Sequence, residues 1–278
     1  MRRSLQRALI ALVAVALVVG LVTGAIVAQI PSEDPISCFV VHCEPTNATG
    51  PMFLQLVDLV ALADEYEIPL TIYFTAQWAE MILADEGKAA KLAAWLEAGH
   101  EIGGHHHAYW GTLERASKWD GYTNTPVADL QTADQDDFRG TMDDYMAILD
   151  ALPGEMTSAC MGLSDERDRL DWTCALRYGT TGHALEHAVS QPYAIDYDDC
   201  TAWLIDHALI LQPRGALAEL YEETGADRVF CVVGHVYNFA EDRPAFEVWF
   251  GFLHARDPDA VRRSTVTELL ESRTAGEG

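Results

Sequence analysis

Positive charge is scarce in this chain. Lysine occurs only at Lys88, Lys91 and Lys118, and Lys and Arg together number 18 against 43 Asp and Glu, a formal net charge of -25 over 278 residues. A surface of that sign repels phosphate backbones and argues against nucleic acid as a partner. It suits a protein that stays hydrated in high salt, where repulsion among acidic groups is screened, and so predicts a halophilic source. Linkers rich in Pro, Gly or Ser, internal repeats and low-complexity runs are missing too, which points to one large domain rather than two small ones. None of the six cysteines (Cys38, Cys43, Cys160, Cys174, Cys200, Cys231) sits in a C-x-x-C pair, so neither a cysteine zinc knuckle nor a thioredoxin-type site is expected. Cys38 and Cys43 lie five apart on an expected strand, hence on opposite faces, which argues against a bridge between them.

Hydrophobic residues are plentiful, at 49% and spread along the chain, enough for a sizeable core. One run stands apart: after Arg2, Arg3 and Arg7, residues 8–28 carry no charge and are long enough to span a bilayer. Arginines before it and acidic residues after it place the amino end in the cytoplasm and the body outside. Residues 1–30 are thus expected to form a transmembrane anchor, or a signal segment if cleaved near Ala25 or Ala28; either way the domain is exported. Asn47-Ala48-Thr49 is a glycosylation sequon and marks a surface loop.

Along the rest of the chain apolar strands alternate with helical patterns. Strands are expected over 36–42, 70–74, 101–103, 156–161, 177–181, 208–211 and 229–233, and helices over 53–66, 88–98, 134–152, 164–175 and 217–224. That alternation predicts a parallel α/β architecture, barrel-like or doubly wound, with its site at the carboxyl ends of the strands. Three strand ends carry the polar residues such a site needs: His42-x-Glu44, His105-x-His107 and Gly234-His235. In an extended segment side chains alternate, so His105 and His107 share one face as a two-imidazole clamp for a divalent metal while His106 faces away.

Leu96-Glu97-Ala98-Gly99-His100-Glu101-Ile102-Gly103-Gly104-His105 resembles the second motif of the polysaccharide deacetylase family, the NodB-homology domain, and the likeness extends over about residues 36–270. The resemblance implies a distorted (β/α) barrel of about seven parallel strands that removes acetyl groups from a polysaccharide with a divalent metal, Zn2+ above all. Glu44, His105 and His107 would hold the ion, His42 would accept a proton from water as base, and His235 would protonate the leaving group. Tyr109 and Trp110, just after the histidine run, are expected to contact substrate. Three departures stand out. His42 occupies the place of the family's catalytic aspartate, Tyr109 that of its second motif histidine, and Ser158-Ala159-Cys160-Met161-Gly162 lacks the arginine that orients the base. They raise the contrasting expectation of a barrel that binds glycan or a protein partner at the cell surface without hydrolysis.

Other candidates are weaker. His183 and His187 would pair only on a helix and lack the H-E-x-x-H glutamate, Asp196–Asp199 lacks the regular spacing of a calcium loop, and His100, His207 and His254 read as structural. Of the seven tryptophans, Trp110 and Trp119 lie nearest the histidine run, and the others are expected in the core.

Overall fold

A computed structural model describes residues 34–109, 119–160, 175–197, 200–213 and 215–275. The expected anchor (1–30), most of the expected helix 164–175, and Trp110 lie outside these residues. Among those described, no helix is long and apolar enough to cross a membrane.

The strands are β1 (Ile36–Cys43), β2 (Leu70–Phe74), β3 (Glu101–His105), β4 (Ser158–Cys160), β5 (Tyr178–Thr181), β6 (Val189–Ser190), β7 (Tyr193–Asp196), β8 (Thr201–Asp206), β9 (Ala208–Leu209) and β10 (Val229–His235). The helices are α1 (Gly50–Glu65), α2 (Ala76–Leu83), α3 (Glu86–Glu97), α4 (Met142–Asp150), α5 (Ala216–Glu222), α6 (Val236–Glu241), α7 (Arg243–Arg256) and α8 (Val266–Thr274). All belong to one curled sheet and its covering helices. The sheet order is β6-β10-β1-β2-β3-β4-β5-β8-β7, in which the seven strands from β10 to β8 run parallel and β6 and β7 are antiparallel edges. β8 pairs with β5 at one end of the order and, one residue further along the chain, β9 pairs with β10 at the other, so the segment 201–209 draws the two ends of the sheet together.

Period-two alternation divides each central strand between two cores. In β1, Phe39, Val41 and Cys43 face the outer helices, while Cys38 and Val40 face inward; in β10, Phe230 and Val232 face outward and Val229, Cys231 and Val233 inward. The inner core is closed at the amino ends of the strands by Val266, Leu269 and Leu270 of α8. There the Glu101 carboxylate accepts hydrogen bonds from Thr71 Oγ1 (3.1 Å), Thr267 N (3.0 Å), Thr267 Oγ1 (2.7 Å) and Ser158 Oγ, so an acidic group meets the amino end of α8. Carrying the same alternation to the other end puts His42 and His235 on the inner face, side by side in register.

Some expected elements changed. The expected strand 208–211 is the two-residue β9, and the longer strand is β8, whose Asp206-His207 end lowers its apolar signal. The helix expected over 134–152 is α4 alone, because Gly140 breaks the run and Thr141 caps a new start with Asp144. His183 and His187 do not share an α-helix: a short 3-10 turn covers Leu185–Ala188. β3 runs two residues longer than expected, so His105 ends the strand instead of following it.

Candidate metal centre

Each inner-face histidine is fixed by its strand, and the loops beyond are braced by side chains from the outer layer. Glu44 follows β1 directly; Trp78 Nε1 on α2 donates to its carbonyl (2.9 Å) and Thr75 Oγ1 to that of Cys43 (3.1 Å). Tyr145 on α4 donates its hydroxyl to the carbonyl of His105 (2.6 Å). Gly103, two residues earlier, lies so close to its neighbours that a Cβ there would come within 2.3 Å of the Ser158 carbonyl and 2.7 Å of the Tyr73 ring. Asp120, itself 1% exposed, clamps the histidine run from behind. Its Oδ2 accepts from His106 Nδ1 (2.8 Å) and His107 N (2.9 Å), and its Oδ1 from Tyr122 N (3.1 Å). His106 is thereby turned away from the other two, as alternation requires.

The donor atoms converge on the Glu44 carboxylate. His107 Nε2 lies 2.9 Å from Oε2; His235 Nε2 lies 3.1 Å and His105 Nε2 3.4 Å from Oε1, and the two ring nitrogens of His105 and His107 are 2.8 Å apart. Donor atoms of Glu44, His105 and His107 all fall within 4.8 Å of one another, and so do those of His42, Glu44 and His235. Nitrogens facing each other and a carboxylate at such range suit a divalent cation between them, and the donor set of imidazole and carboxylate suits Zn2+. His42 is stacked on His105 (centroids 4.1 Å, 29°) and stands edge-on to His235 (5.2 Å, 88°).

Burial shapes the charges. It would raise the Glu44 carboxyl, but hydrogen bonds from His105, His107 and His235 outweigh that and hold it far below the usual carboxylate range. Burial, reinforced by the His107 charge, lowers the His105 imidazole to about 4, and burial together with His105, His235 and His207 holds His42 well below its ordinary value. These rings are neutral at pH 7, the form that ligates a metal. Cys160, which approaches His42 and His105, is pushed up by burial to about 12 and stays a thiol.

The remaining expectations divide. Tyr109 is 8% exposed; its hydroxyl donates to Asp134 (3.0 Å) and accepts from Gln131 N (2.9 Å), and its ring packs on Trp119 (5.0 Å), so the side chain is committed to the loop it anchors. His100 is structural: Nδ1 accepts from Leu70 N (3.0 Å) and Nε2 reaches Asp64 (3.0 Å). His207 is not as expected. It lies fully buried, its ring 5.4 Å edge-on from that of His42. Its signal was the alternation Trp203, Ile205, His207, which places it inward. Asp120, Tyr145, Trp78 and Asn238 carry no motif of their own and emerge only as braces. Asn238 Oδ1 accepts from the backbone N of His235 (3.2 Å) and lies 2.9 Å from its Nδ1. Next to the Asp120 brace opens a cleft of about 700 Å3 lined by Gln77, Glu80, Trp119, Tyr122, Phe138 and Arg139 among others.

The chain matches no protein-family model and no curated protein sequence. Among solved structures it is similar to a protein of Mycobacterium smegmatis assigned as a polysaccharide deacetylase (12% identity, 89% of this chain and 93% of that one, TM-score 0.53). It is also similar to a 4-alpha-glucanotransferase of Thermococcus litoralis (11% identity, 85% of this chain but only 38% of that one, TM-score 0.52). These likenesses show the fold, the curled parallel-rich α/β sheet of the polysaccharide deacetylases.

Proposed function

We propose that this protein is an exported, metal-dependent hydrolase that removes acetyl or similar acyl groups from a cell-envelope or extracellular polysaccharide. The observation that carries the reading is the convergence of Glu44, His105 and His107 donor atoms within 4.8 Å at the carboxyl ends of β1 and β3. A divalent ion, Zn2+ by the donor set, would supply Lewis-acid polarisation of the acyl carbonyl. The chain's own residues do the rest. Glu44, His105 and His107 hold the ion, with Asp120 and Tyr145 fixing the backbone that presents the two imidazoles. His235, oriented through Asn238, faces the carboxylate from the adjacent strand and would give a proton to the departing amine or hydroxyl, while His42 would take one from water. Trp119 and Phe138 in the neighbouring cleft offer aromatic faces on which a pyranose ring can pack. Export, with residues 8–28 as anchor or signal, is supported by the disulfide at Cys200, a bond that persists in oxidising compartments.

The test is metal analysis of the dialysed protein paired with acetate release from an acetylated chitooligosaccharide. Wild type should retain metal and release acetate, and His105→Ala should lose both; a wild type that holds no metal, or whose His105→Ala variant behaves like it, would sink the reading. A second reading, a deacetylase-like module that binds glycan without cleaving it, is favoured by two observations. His42, in the base position, is 1% exposed beneath His105, and β4 carries no arginine. Retained metal and glycan binding without acetate release would select it.

A further inference from the structure

We propose that His42 and His235 form, together with Glu44, a second divalent-cation site, so that the Glu44 carboxylate bridges two ions. The proposal rests on the reading of Glu44, His105 and His107 as a metal site and deepens it. It gives the two remaining imidazoles a ligand's task in place of the acid and base roles of the one-ion reading.

Topology brings this second triad together from β1 and β10, sharing only Glu44 with the first. His42 and His235 are register partners on the adjacent parallel strands β1 and β10, both on the inner face, and Glu44 lies two residues beyond His42. One donor atom from each of the three falls within 4.8 Å of the other two. The carboxylate reaches rings of both groups: Oε2 faces His107 at 2.9 Å, while Oε1 faces both His235 at 3.1 Å and His105 at 3.4 Å.

The His235 ring is fixed by its neighbours. Asn238 Oδ1 accepts the backbone N–H of His235, which identifies it as the amide oxygen, and it also contacts Nδ1 at 2.9 Å. On its other side, His235 Nε2 lies 3.1 Å from Glu44 Oε1, so the ring is held between the Asn238 amide and the carboxylate. A cation between Nε2 and the carboxylate would take both as ligands. The same arrangement, an imidazole whose far nitrogen is held by an outer hydrogen bond, is how proteins orient metal-ligating histidines.

The second observation is His42 itself. Its side chain is 1% exposed and its Nε2 is buried without a hydrogen-bond partner, a loss that a buried polar atom does not sustain for nothing. The His207 ring lies on the same side, 5.4 Å from the His42 ring. Two imidazoles and one carboxylate, with donor atoms mutually within 4.8 Å, are a donor set for a borderline cation such as Zn2+ or Co2+. Two ions sharing a carboxylate stand about 3.5–4 Å apart in hydrolytic centres, and the pair can clamp both the attacking and the leaving oxygen.

The experiment counts bound ions. The purified chain, stripped with a chelator, is equilibrated with Co2+ and then separately with Zn2+, dialysed, and bound metal per chain is measured by mass spectrometry, with thermal unfolding as a fold control. Wild type should bind two ions. His42→Asn and His235→Gln, on different strands, should each bind one, and so should His107→Gln, which removes a ligand from the other group. Because the first two substitutions sit on separate strands, the proposal stays testable if one of them fails to fold. A wild type that binds a single ion, with His42→Asn and His235→Gln also binding one, overturns the second site while leaving the first intact. A wild type that binds none overturns both.

Discussion

At the scale of single residues, the site depends as much on what stands behind the ligands as on the ligands. Asp120 touches no proposed ion, yet it holds the His107 backbone and the His106 ring, and through them the direction in which His107 points. Asp120→Ala should weaken metal binding by about 10–100-fold, the usual effect of removing an outer partner of a ligand, as read by chelator competition. Unchanged affinity would reduce Asp120 to a loop fastener. Gly103 acts by absence. With the Ser158 carbonyl and the Tyr73 ring against its Cα, Gly103→Ala must push β4 or Tyr73 aside, at a cost of about 1–3 kcal/mol in denaturant unfolding. If the variant is as stable as wild type, the close approach of β3 to β4 is looser than described.

At the scale of elements, two charged groups tie helices and loops to the sheet. Glu101, on the inner face of β3, joins β2, β4 and the first turn of α8 through one carboxylate. Glu101→Ala removes hydrogen bonds to a charged acceptor and leaves their donors unpaired, so about 1.5–3 kcal/mol of stability should be lost, with the fluorescence of Trp203 in the adjoining inner core as one probe. Arg263 and Asp257 form a buried pair, 2% and 6% exposed at the side chain, and Arg263 also donates to the carbonyls of Tyr66, Glu67 and Asp257. It fastens the end of α1, where Glu67 adopts a positive φ of 55°, to the loop that leads into α8. Arg263→Met leaves the Asp257 carboxylate without its cation, held only by Val261 N and Arg262 N, and should cost about 3–5 kcal/mol by urea titration; a loss below ~1 kcal/mol would show that the pair contributes little.

At the scale of the whole molecule, charge and buried imidazoles set the conditions for stability. With a net charge of -25, folding crowds like charges together, so the melting temperature should rise as KCl is raised from low to molar concentration; a flat response would remove the ground for a halophilic origin. The pH response has a defined sign. His105 in the fold takes up its proton only at about 4, against 6.5 when unfolded, and His42 and His207 are lowered in the same direction, chiefly by burial. Between those values the unfolded chain binds more protons, so stability of the metal-stripped protein falls as pH is lowered from about 6.5 towards 4. Melting curves over that range test it, and constant stability would mean that these rings are hydrated and titrate normally.

What the sequence by itself determined was local. Apolar alternation set the direction of each inner-face side chain, and its endpoints located His42, Glu44, His105, His107 and His235 at strand ends, because side-chain direction in a strand depends only on parity along the chain. The alternation of strand and helix was likewise enough for a parallel α/β fold, since parallel neighbours need a crossover between them. Partnership was decided only by tertiary structure. That His235 stands beside His42, that His207 turns in beside them although it read as structural, and that Tyr109 spends its hydroxyl on Asp134 all follow from strand register and loop packing between segments far apart in sequence. Asp120, Asn238 and Glu101 were invisible for the same reason: a carboxylate or amide becomes a brace through the donors that packing brings to it, and those donors are not its neighbours in the chain.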